Sequence, residues 1–156
     1  NRAASALGRS YPVGLTAFVE AMNAKAWALG MTHSSFADPA ALHSGNVSTA
    51  ADLERMVSAA ADYPLIAEAS TTHRLQVRPY RDRGPLVYGH PHRLLKNDSW
   101  DIGLSKTGYI NEAGRCLVMK ANIRGEELSI VLLNSFGKLT PFGDSNRLRR
   151  WLLAGK

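Results

Sequence analysis

The stretch LSKTGYINEAGRCLVM, residues 104–119, decides the fold. In it Lys106-Thr107-Gly108 sets a cation, a hydroxyl and a bare backbone side by side, and then runs straight into an apolar hairpin arm. From 101 onward three strands are expected, over 101–109, 115–122 and 127–134, the last two turning at Arg124-Gly125. Before them HRLQVRP (73–79) alternates like a strand, with Leu75 and Val77 on one face. The segment RDRGPLVYGHPH, rich in glycine and proline, reads as a loop.

Further upstream the period becomes helical. VGLTAFVEAMNAKAWAL (13–29) places Leu15, Phe18, Met22, Ala26 and Leu29 on one face, and Gly30 ends the helix. Residues 48–62 form a second helix: Thr49 and Asp52 have capping-box spacing, and Leu53, Met56, Val57 and Ala60 face inward. Tyr63-Pro64 stops it, and PLIAEAS forms a short helix after it. At the far end Asp144 is expected to cap a closing helix with Leu148, Trp151 and Leu152 inward. Helices, then an antiparallel meander, then a helix make an α+β plan rather than a chain of βαβ units.

The 156 residues are one domain's worth, 45% hydrophobic and 21% charged, as in an ordinary globular protein. No apolar run approaches the roughly 20 residues of a membrane span. The net charge of +6 suits an anionic partner. Its densest clusters, RPYRDR (78–83) and RLRR (147–150), lack the Gly-aromatic pattern of an RNA-recognition strand, and no helix-turn-helix pair is evident, so nucleic acid is not expected. The single Cys116 permits no internal disulfide and reads as a buried thiol in an apolar strand. His90-Pro91-His92 invites a metal reading, but no third or fourth ligand converges in the sequence, so a surface loop without metal is expected.

Lys106-Thr107-Gly108 carries more. On a strand, Lys106 and Gly108 point to one face and Thr107 to the other. An edge strand offers free N–H and C=O groups to an extended peptide, and Gly108 removes the side chain that would obstruct it. The Lys106 ammonium and the Thr107 hydroxyl suit a carboxylate, and a backbone N–H near Tyr109 suits an oxyanion. A strand that merely ends at a glycine explains the same tripeptide.

LSKTGYINEAGRCLVMKA closely resembles the third motif and following strands of the low-molecular-mass penicillin-binding proteins, the serine D-alanyl-D-alanine peptidases, and is most similar to their endopeptidase branch. The resemblance extends over practically the whole chain. NRAASALGRSYPVGLTAFVEAMNAKAWALGMTHSSF is similar to the helices after the family's Ser-x-Asn motif, and VLLNSFGKLTPFGDSNRLRRWL to its last strand and closing helix. It implies a β-lactamase/transpeptidase-like fold of helices on an antiparallel sheet. Residues 1–156 would be the C-terminal portion of one such domain, the nucleophilic serine and lysine base of Ser-x-x-Lys lying upstream.

By the same resemblance Asn1 is the last residue of Ser-x-Asn, holding the acyl amide and orienting the catalytic lysine. Lys106 and Thr107 would bind the substrate or penicillin carboxylate, Gly108 would admit the substrate strand, and the N–H of Tyr109 would form half the oxyanion hole. The implied partners are peptidoglycan stem peptides, β-lactams as covalent inhibitors, and the upstream segment of the same domain. No cofactor is implied, and the implied location is the periplasm. Two look-alikes are set aside. Ser44-Gly45-Asn46 spells Ser-x-Asn in a loop some forty residues too late. Ser135-Phe136-Gly137-Lys138 spells Ser-x-x-Lys at the end of a strand, where no helical turn stacks the pair. A non-catalytic peptidoglycan-binding module, a β-lactamase and a carboxypeptidase are the rival readings.

Overall fold

Arg124 and Gly125 both have positive φ, 59° and 83°, and turn Ile123 back onto Glu126 in a two-residue hairpin. That turn matches the right-handed twist of its strands, and glycine adopts it without a Cβ penalty. The computed structural model, which describes residues 1–155, builds outward from this hairpin. Its elements are α1 (Arg2–Arg9), α2 (Leu15–Ala28), α3 (Ala50–Ala61), α4 (Pro64–Thr71), β1 (Arg74–Val77), β2 (Leu86–Gly89), β3 (Asp101–Ile110), β4 (Gly114–Ile123), β5 (Glu126–Ser135) and α5 (Thr140–Leu153). A 3-10 turn, Arg93–Lys96, leads into β3. The main sheet is antiparallel in the order β3-β4-β5, and β1 pairs with β2 in a separate ribbon.

Both faces of the central strand are buried. Leu117, Met119, Ala121 and Ile123 of β4 join Leu94, Trp100 and Ile130, with Phe142 and Leu152 of α5 packed over them. On the opposite face Val118 meets Leu104 and Val57, backed by Leu53 and Ala60 of α3. The sheet is therefore sandwiched between α3 and α5, as period-2 alternation on a two-sided strand requires. Leu117 has no exposed surface, so Leu117→Ala should cost about 2–5 kcal/mol of stability, read as a lowered denaturant midpoint.

The three main strands and the helices α3 and α4 fall where the periodicity places them. Thr49 is the N-cap of α3, its hydroxyl accepting from the N–H of Asp52 at 3.2 Å. The Asp52 carboxylate, itself buried, receives the His33 N–H and the Ser34 hydroxyl, each at 2.8 Å, and Arg55 at 2.9 Å. It thereby ties the loop after α2 to α3. The Ser44-Gly45-Asn46 stretch is part of that loop's scaffold. Asn46 Oδ1 accepts the N–H groups of Ala37 and Asp38 at 2.6 and 3.1 Å.

Five expectations change. RDRGPLVYGHPH is not all loop: Leu86–Gly89 is β2, in register Leu75↔Tyr88 and Val77↔Leu86. Its alternation spans only four residues between prolines, too short to read by period. The helix expected over 13–29, here α2, is only partly buried, Leu15 remaining 44% exposed. Asp144 does not cap α5 but lies a turn inside it, paired with Arg147. Pro141 has no N–H to satisfy, so the helix starts before Asp144. That start changes the phase: Pro141 and Ser145 are buried, whereas Leu148 and Trp151 are 39% and 54% exposed. Cys116 is half-buried rather than enclosed. His92 is no surface residue: it is fully buried beneath β3.

Candidate functional site

Among the described residues β3 is an edge strand, with β4 its one strand partner, and its free side is organised by α4. The N–H of Ser105 leaves the sheet to donate to Ser70 Oγ of α4 at 3.3 Å. Two residues on, the carbonyl of Thr107 accepts the Lys106 ammonium at 2.6 Å instead of a strand partner. In a strand the N–H and C=O of one residue point to the same side, and alternate residues point oppositely. By that alternation the N–H of Tyr109 also lies on the free side, beyond the stretch that Ser70 occupies.

Beside this edge lies a cavity of about 330 Å³ whose walls include Asn1, Lys106, Thr107, Gly108 and Tyr109. All five residues singled out in the sequence thus meet in one place. Asn1 arrives through α1, whose buried Gly8 lies so close to the loop between α2 and α3 that a Cβ there would come within 2.8 Å of Pro39. Asn1 stands at the N-cap position of α1, yet its side chain makes no capping hydrogen bond and remains available to the cavity. Gly108 is not demanded by internal packing. A Cβ added there would meet only Cys116 Cβ, at an ordinary 3.8 Å.

The same walls carry three cations that sequence reasoning did not place in the site: Arg93, Arg115 and Lys138. Arg115 pairs with Tyr109 across the ladder and lays its guanidinium 4.4 Å from that ring's centroid. The hairpin register would have found Arg115, whereas only the path of the link between β5 and α5 brings Lys138 near. The Lys106 ammonium keeps solvent access, but folding back onto Thr107 strips enough water from it that burial lowers its pKa below the ordinary lysine value.

His92 supports this strand from below. Its Nδ1 lies 2.6 Å from Ser105 Oγ, and its ring stacks on Phe142 at 5.2 Å. Its Nε2 is buried without a partner among the described residues. Burial, and then the nearby charge of His90, push the His92 pKa down to about 4 from 6.5. A histidine whose folded pKa is depressed binds a proton more readily when unfolded. Its contribution to stability is therefore complete above about pH 6.5 and lost as pH falls toward 4. Melting temperature is expected to decline over that interval, and His92→Asn, which cannot titrate, to flatten the decline.

Helices on both faces of an antiparallel sheet are an arrangement this chain shares with solved structures. Penicillin-binding protein D2 from Listeria monocytogenes, in the cefotaxime-bound form, matches with a TM-score of 0.82 at 26% identity, over 96% of this chain and 60% of that one. Residues 1–137 match the peptidase S11 family, D-alanyl-D-alanine carboxypeptidase, and the chain belongs to that family. Over its 156 residues it is 46% identical to a D-alanyl-D-alanine endopeptidase of Pseudomonas aeruginosa and 43% identical to one of Escherichia coli. All of this chain is covered in both cases, and 50% of each relative, so the chain spans about half the length of these curated relatives.

Proposed function

We propose that the chain is the substrate-gripping, C-terminal portion of a serine-type D-alanyl-D-alanine endopeptidase domain that cuts peptidoglycan stem peptides in the periplasm. The supporting observation is the convergence of Asn1 on the cavity of Lys106, Thr107, Gly108 and Tyr109, from the opposite end of the sequence. In this reading a stem peptide lies along β3 as an added strand, passing over Gly108. Lys106 and Thr107 hold its carboxylate, and the N–H of Tyr109 faces the carbonyl oxygen that turns anionic under attack. Asn1 holds the acyl amide and orients the lysine base.

The nucleophile comes from the Ser-x-x-Lys segment of the longer protein. Its hydroxyl adds to the peptide carbonyl, the amine departs with a proton, and water then hydrolyses the acyl-serine. A β-lactam, a carboxylate beside a reactive amide, takes the same path and stalls at the acyl stage. Among the described residues β5 pairs only with β4, which supports completion of the sheet by the rest of the domain on that side.

Denaturing mass spectrometry after incubation of the full-length protein with a labelled penicillin tests the reading. One covalent adduct on a serine upstream of Asn1 is expected. An adduct on Ser44 or Ser135 would overturn the assignment, and no adduct on folded protein would leave a binding module. Cross-linked stem peptides should be cleaved in preference to uncross-linked ones, the reverse pointing to a carboxypeptidase.

A further inference from the structure

We infer that Ser105 and His92 are positioning residues for Lys106: the bond between them fixes the roll of β3 where the chain enters Lys-Thr-Gly. This rests on the proposed reading of Lys106 as the grip on a substrate carboxylate and names what aims that grip. Both side chains are fully buried, so they act through Lys106 and not on the substrate. The need for such a device lies in the ladder itself. β3 is in register with β4 at Asp101 and Ile102, slips between Ile102 and Leu104, and then resumes. A bulge of this kind bends its strand and re-aims the side chains that follow. Gly103, at the slip, brings no side chain to pin the strand there.

Ser105, between the bulge and Lys106, is held from two directions. Its N–H donates to Ser70 Oγ of α4 at 3.3 Å, and its hydroxyl lies 2.6 Å from His92 Nδ1. The far side is closed as well. The His92 N–H donates to His90 Nδ1 at 3.1 Å, and the His90 ring in turn bonds the backbone carbonyl of Ser70. Ser105, Ser70, His90 and His92 thus form a closed loop of hydrogen bonds that joins α4, the His-Pro-His segment and β3. Every bond in the loop is made between described residues, so it stands without a contribution from the rest of the domain.

A closed loop resists rotation better than a single bond. Turning Ser105 or His92 breaks two contacts at once, and a buried polar group left unpaired is costly. The His92 ring is itself held, stacked on Phe142 of α5 at 5.2 Å. Ser105 stands opposite Met119 in the ladder, on the face that α5 covers. Successive strand residues face opposite sides, so holding Ser105 toward α5 sets the direction in which Lys106 leaves the strand.

The test uses the full-length protein and two probes: benzylpenicillin, which carries a free carboxylate, and its methyl ester, which does not. Ser105→Ala is expected to lower the second-order rate of acylation by the free acid about tenfold, the scale of one hydrogen bond. The slower reaction of the ester should stay within about twofold of wild type, since it never used the grip. Ser105→Cys, close in size with a weaker hydrogen-bonding group, should fall between the two. His92→Asn should reproduce the selective loss, and the double variant should be no slower than either single one, because both act through one bond. Melting curves show whether each variant is folded. Equal losses with acid and ester in a folded Ser105→Ala protein, or no loss with either, would overturn the inference and leave the peptidase reading intact. Fully additive losses in the double variant would overturn the pairing with His92. A wild-type protein that neither probe acylates would sink both the inference and the reading beneath it.

Discussion

Lys106→Ala is expected to lower the second-order rate of acylation of the full-length protein by penicillin about 10- to 100-fold, with the fold intact. A charge-assisted hydrogen bond to a carboxylate contributes about 1.5–3 kcal/mol, and 1.4 kcal/mol is a factor of ten. The side chain reaches from the open edge of β3 to the Thr107 carbonyl and stands outside both apolar clusters, so its removal leaves the core untouched. A pH profile separates charge from shape. Because burial lowers the Lys106 pKa, the wild-type rate should begin to fall at a lower alkaline pH than an ordinary lysine would dictate. Lys106→Arg, which keeps its proton, should move that fall to higher pH even if the maximal rate suffers from imperfect geometry. An unchanged rate in Lys106→Ala would remove Lys106 from the site.

Gly108→Val should separate stability from activity in the opposite way to a core substitution. The added Cβ would meet Cys116 at an ordinary contact distance and nothing else within 4 Å among the described residues, and valine suits a strand better than glycine. Thermal stability is expected to hold or rise. Penicillin acylation should drop about 100-fold, because a peptide held off the edge forfeits two or three backbone hydrogen bonds, each contributing about 1 kcal/mol net. Loss of stability together with activity would mean that Gly108 serves the fold rather than an incoming strand. Full activity in a stable Gly108→Val protein would place the substrate elsewhere.

How far the sequence could be read depended on the range of the interactions concerned. The β4–β5 turn at Arg124-Gly125, the three long strands and the Thr49 cap were legible, since each is decided within a few adjacent residues. The Lys-Thr-Gly chemistry was legible for the same reason, as three neighbours on one strand carry it. β2 was not, because four exposed residues between prolines acquire strand identity only by pairing with β1. The phase of α5 was misjudged because a plausible cap, Asp144, competed with Pro141, and packing on the sheet chose the earlier start.

The sequence alone thus determined the α+β order, the hairpin turn at Arg124-Gly125 and the tripeptide within its strand. Tertiary structure decided what surrounds that tripeptide: Asn1 delivered through α1, Lys138 through the link into α5, and His92 locked under Ser105. Period and turn chemistry are local, written in residues that touch along the chain. A cavity is made of side chains that meet only after distant segments have packed, and no spacing along the chain records which of them will share a wall.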